Sequence, residues 1–77
     1  MKYTDYRVTY CSKRFKTMFP DFEEFIDGVG NMGGDILAIA QNGLKGFRIY
    51  YNNDVDDKKI RVIKYKFELC GLRLLER

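Results

Sequence analysis

The sequence predicts an α+β fold in one compact domain, residues 1–77: a single helix packed on one face of a mostly antiparallel sheet, in the order β-α-β-β-β. Three observations carry that reading. Tyr3 to Cys11 and Phe47 to Tyr51 alternate between two faces, the period of a half-buried strand. Phe22, Phe25, Ile26 and Val29 recur at the spacing of one helical stripe. Asn42-Gly43 separates two strand-like runs and is a favoured hairpin signal.

In the first strand, Tyr6, Val8 and Tyr10 share one face, and Arg7, Thr9 and Cys11 the other. The following SKRFKTMF either extends that strand or turns back as a short extra strand around residues 14–18, carrying Phe15. Pro20 suits the first position of a helix, where its missing N–H is no loss, and Asp21, Glu23 and Glu24 complement the positive end of the helix dipole. Gly28, Gly30 and Gly33 then terminate it. Ile36 to Ala40 is apolar on both faces, Leu37 and Ile39 on one and Ile36, Ala38 and Ala40 on the other, so this strand is expected to be central and covered on both sides. Gly46 is a candidate bulge. After it, Phe47, Ile49 and Tyr51 alternate with Arg48 and Tyr50. KKIRVIKYKFELC reads as the last strand, with Ile63, Tyr65, Phe67 and Leu69 opposite Lys64, Lys66 and Glu68. The closing GLRLLER is too short to assign.

A chain of 77 residues buries only about 60% of the surface of its unfolded form, so six Tyr and six Phe have a structural reason first. The opening residues carry no signal-peptide core, and no run approaches transmembrane length; the expectation is a cytoplasmic protein without membrane contact. Cys11 and Cys70 form no Cys-x-x-Cys and are expected as free thiols in a reducing compartment.

GVGNMGGD has glycines in the spacing of a dinucleotide-binding fingerprint, but that site needs its glycines after a strand and before a helix. Here the expected order is reversed, and Asp35 adds repulsion to any phosphate, so no cofactor is expected. With no histidine and one serine, Ser/His/Asp and Cys/His mechanisms lack their parts, and the chain reads as non-enzymatic. Glu23, Glu24 and Asp27 are explained as a solvated helix face rather than a catalytic carboxylate pair. Asn52 to Asp57 offers hard oxygen ligands without the spacing of a calcium loop, so no metal is expected there either.

The net charge of +3 is unevenly spread. Residues 58–66 carry five basic and no acidic side chains, whereas five carboxylates lie in residues 18–35 and three in 54–57. The pattern defines two candidate surfaces. One is the open sheet face, expected to gather Arg7, Arg48, Tyr50, Ile60, Val62, Lys64 and Lys66. The other is acidic: Asp21, Glu23, Glu24, Asp27, Asp54, Asp56 and Asp57. The apolar Ile60 and Val62 call for a cover, whether the Leu72, Leu74, Leu75 tail, a second copy in a homodimer, or another protein. The acidic surface suits a small inhibitor that occupies a basic groove. The leading expectation is therefore a protein-binding regulator or inhibitor of the kind phages and mobile elements encode. The alternative is a single-stranded nucleic-acid-binding protein that stacks bases and pairs phosphates on the basic face.

Overall fold

The computed structural model describes residues 2–18, 21, 24 and 34–77. It is an α+β protein. The described elements are β1 (Lys2–Cys11), α1 (Lys13–Met18), β2 (Ile36–Gln41), β3 (Gly46–Tyr51), α2 (Asp57–Leu69) and β4 (Leu72–Glu76). All strand pairs are antiparallel, and the sheet order is β2-β3-β1-β4. Because β3 and β4 both run against β1, they are parallel to each other, and α2 makes the crossover between them. This is a split β-α-β plan, with β1 in the centre.

Side chains of the inner face make the core. Phe47 and Ile49 are 0% exposed, and Tyr6, Tyr51, Leu72 and Leu74 are buried beside them. Both described helices contribute to the same cluster, α1 through Phe15 and α2 through Ile63 and Phe67. The Phe47 ring meets Tyr6 at 5.7 Å and Phe67 at 5.9 Å, which seats α2 on the middle of the sheet. Thr4 shares a hydrogen bond with the buried Tyr51 hydroxyl, so that polar group enters the core with a partner. Burial raises the pKa of both Tyr6 and Tyr51 above the usual phenol value.

Residues 58–70, expected as the last strand, instead form the helix Asp57–Leu69 and its C-cap Cys70. Ile63 and Phe67 fit both periods, being two positions of an alternating pattern and also an i, i+4 pair. The ends decide between the two. Asp56 caps the helix, its Oδ1 accepting the Lys59 N–H at 2.9 Å, and Asp57 and Lys66 complement the dipole in the first and last turns. Gly71 stops the helix at φ 108°; a side chain there would also meet Ser12 Oγ at 2.0 Å. The fourth strand is therefore the unassigned tail, which pairs with β1 and buries Leu72 and Leu74.

Residues 13–18 are a helix, not an extra strand. Ser12 Oγ accepts the Phe15 N–H at 3.1 Å, a cap that starts the turn. The helix expected from Pro20 to Val29 lies outside the described residues except at Asp21 and Glu24. There Asp21 Oδ1 accepts the Glu24 N–H at 2.8 Å, as a capping residue does. Gly28, Gly30 and Gly33 also lie outside.

Two register shifts correct the face assignments. Between Val8 and Tyr10 the β1–β4 ladder slips, so Tyr10 turns outward and Cys11 packs against the core. Between Ile36 and Ala38 the β2–β3 ladder slips, which puts Ile36 and Ile39 opposite the buried Tyr51 and Ile49. The bulge is thus at Leu37 rather than Gly46. Gly46 is required by a close approach instead, since a Cβ there would lie 2.1 Å from the Asn42 carbonyl oxygen. Strand β2 is not central but an edge, with Leu37, Ala38 and Ala40 exposed.

Candidate functional site: the outer face of the sheet

The face of the sheet away from α2 is aromatic and basic. The antiparallel register sets Tyr3 opposite Tyr50 and Asp5 opposite Arg48 on β1 and β3. On the other side of β1 it sets Arg7 opposite Leu75 and Tyr10 opposite Arg73. Tyr3 is 50% and Tyr10 57% exposed. Directly opposed residues on one face of an antiparallel pair have their side chains within reach, so the members of each row are neighbours.

Arg48 is the organised centre of this face. Its Nε and Nη2 donate to the two carboxylate oxygens of Asp5 at 2.8 and 3.1 Å, and Asn42 Nδ2 donates to the same carboxylate at 2.9 Å. The guanidinium lies 4.1 Å from the Tyr3 ring centroid, and Tyr50 tilts against Tyr3 at 6.1 Å. Arg48, with Asn42 assisting, holds the Asp5 carboxyl below the usual carboxylate value; Asp5 in turn raises the Arg48 pKa. A two-point pair fixes the guanidinium plane and offsets its charge.

Arg7 and Arg73 differ from Arg48. Neither has a carboxylate partner among the described residues. Arg73 sits 5.8 Å from the Tyr10 ring centroid, a second arginine-tyrosine pair at the other end of the face. Among the described residues the strands of the outer face therefore carry three arginines and one acid, and that acid is engaged.

Of the seven residues expected on this face, Arg7, Arg48 and Tyr50 lie on it. Ile60, Val62, Lys64 and Lys66 do not: all four are on α2, which packs on the opposite side. Ile60 is half-buried against the core, while Val62 and Lys66 are exposed on the helix. Not expected there were Tyr3, Asp5, Tyr10, Arg73 and Leu75. Tyr3 was legible from the alternation of β1; Tyr10 needed the register slip, and Arg73 and Leu75 needed β4.

The acidic surface is divided. Asp56 and Asp57 serve the start of α2, and Asp21 caps the Glu24 turn. Asp54 is exposed, and Glu23 and Asp27 lie outside the described residues. Among the described residues no three acidic or cysteine side chains gather into a metal-binding group, and no helix is long and apolar enough to cross a membrane. Cys11 and Cys70 are free and half-buried.

What fold and face define is a small α+β protein whose described helices pack on one side of its sheet and whose other side carries arginines and partly exposed tyrosines. No family model matches the chain, and no curated protein or solved structure matches it either.

Proposed function

We propose that this protein binds single-stranded nucleic acid on the outer face of its sheet. The observation that supports this reading is the pairing of tyrosines with arginines at both ends of that face: exposed Tyr3 and half-buried Tyr50 with Arg48, and exposed Tyr10 with Arg73. Four-stranded sheets bind single strands by stacking bases on exposed aromatics while cations meet the phosphates. Tyr3 and Tyr10 are seven residues apart on β1, roughly 23 Å at 3.3 Å per residue, a path long enough for several bases.

The side chains divide the work. Tyr3, Tyr10 and Tyr50 offer ring surface. Arg48, neutralised and oriented by Asp5, acts as a flat stacking plane rather than a phosphate clamp. Arg7 and Arg73 keep their charge and neutralise phosphates. No bond is made or broken, in keeping with a chain that has no histidine and one serine.

The test is fluorescence anisotropy of a labelled single-stranded DNA and RNA of about 16 nucleotides, the upper end of typical site sizes, at two salt concentrations. The expected result is micromolar or tighter binding that weakens steeply with salt. Absence of binding at low salt overturns the reading.

Protein binding, in the manner of a small regulator or inhibitor, has a separate observation in its favour. Val62, Tyr65 and Leu69 are 46%, 60% and 61% exposed and form one stripe on the outward side of α2. A pull-down in which Tyr65→Ala abolishes capture of a specific protein, with nucleic-acid binding absent, would put this reading first.

A further inference from the structure

The two edges of the sheet are built differently. Strand β4, Leu72–Glu76, carries Arg73 and Glu76, the charges with which sheet edges are normally guarded. Strand β2, Ile36–Gln41, is ILAIAQ: it has no charge and no proline. Among the described residues nothing pairs with its outer edge, and Leu37 is 56% exposed.

The backbone specifies what fits such an edge. The Asn42 N–H donates inward to the Gly46 carbonyl at 3.0 Å. Since amides alternate along a strand, those of Gln41 and Ile39 turn away from β3, each with its carbonyl beside it. An unpaired row of this kind is met by another strand.

We infer that β2 pairs antiparallel with β2 of a second copy, about a two-fold axis normal to the sheet and midway between the two Ile39 residues, to give a continuous eight-stranded sheet. In that register the Ile39 amide and carbonyl of each copy exchange hydrogen bonds, and Ala38 faces the partner's Ala40 on the outer side. The strand is neutral, so self-pairing brings no like charges together, whereas pairing β2 with β4 would build an open chain of subunits through a charged edge. The two-fold contact closes after two copies. It also sets both outer faces on the same side of one sheet, doubling the arginine-tyrosine surface. The pairing stands on the edge itself and does not depend on nucleic-acid binding.

The experiment is sedimentation velocity of the full chain across the micromolar range, with two double variants. Ala38 and Ala40 are exposed, so substitution leaves the core intact, and thermal melting verifies the fold. The wild-type mass is expected to rise with concentration from 9.1 kDa to twice that. A38E/A40E places like charges opposite each other at both positions and is expected to remain at the single-chain mass. A38K/A40E places opposite charges across the same axis and is expected to dimerise as the wild type does. A wild type that stays at single-chain mass throughout, an A38E/A40E variant that dimerises unchanged, or a folded A38K/A40E variant that is monomeric overturns the inference.

Discussion

On the inner face of the sheet Tyr6 and Tyr51 are each 1% exposed, while on the outer face Tyr3 and Tyr10 are 50% and 57% exposed; the two-residue alternation of β1 and β3 places the first three, and the slip after Val8 turns Tyr10 outward. The inner pair sits among Phe47, Ile49 and Leu72, and the Tyr51 hydroxyl meets Thr4. The outer rings meet guanidinium groups instead. One residue type thus fills a core on one side and furnishes a surface on the other. The difference teaches that aromatic content in a small chain has no single explanation: the side of the sheet decides whether a ring supports folding or is free for a ligand.

The largest break in that comparison is expected from the inner face. Phe47→Ala removes a ring that touches both Tyr6 and Phe67 and should cost about 3–5 kcal/mol. Against a total of roughly 4–12 kcal/mol for a chain of this size, urea denaturation should show a largely or wholly destabilised protein. Gly71→Ala should follow, at about 1–3 kcal/mol, because φ 108° and the nearby Ser12 both oppose a side chain; the same urea titration reads it.

Outer-face changes should spare stability and strike binding. Tyr3→Ala and Tyr10→Ala should each lose about 1–3 kcal/mol of single-strand affinity with little movement of Tm. Arg7→Ala and Arg73→Ala should each lower the slope of log affinity against log salt by about 1. Equal losses of Tm on both faces would erase the distinction between them. A smaller effect is expected from Lys64→Ala and Lys66→Ala: placed on α2, they should leave anisotropy titrations almost unchanged.

The pH dependence separates the faces as well. Tyr6 and Tyr51 have raised pKa values in the folded chain, so their contribution is complete below the unfolded phenol value of about 10 and is lost as pH rises through the folded values. Asp5 has a lowered value, so its contribution is present above about pH 4 and is lost as pH falls through the folded value. Denaturation midpoints should therefore fall on the alkaline side through the core, and on the acid side in part through the outer face. Asp5→Asn should blunt the acid limb alone.

Some elements were legible because a single local rule governed them. In β3 the alternation of Phe47, Ile49 and Tyr51 with Arg48 and Tyr50 matches the burial because one face is fully covered. In α2 the same rule misled, since Ile63 and Phe67 satisfy two periods and the deciding signals, Asp56 before and Gly71 after, lie at its ends. A strand over residues 58–70 puts Ile60, Val62, Lys64 and Lys66 on the wrong side of the molecule, and without β4 Arg73 has no place on the outer face, while Leu75 enters only as part of a covering tail.

The sequence by itself determined the α+β class, the alternation that makes β1 and β3 two-faced, and the outer positions of Arg7, Arg48 and Tyr50, because each follows from neighbours along the chain. Only the tertiary structure decided that β1 is central and β2 an edge, and that slips at Val8/Tyr10 and Ile36/Ala38 exchange faces. Strand order and bulges depend on pairings between residues far apart in sequence, whose energies no local pattern contains. Arg73 meets Tyr10 only because β4 returns beside β1 after the whole chain has folded between them.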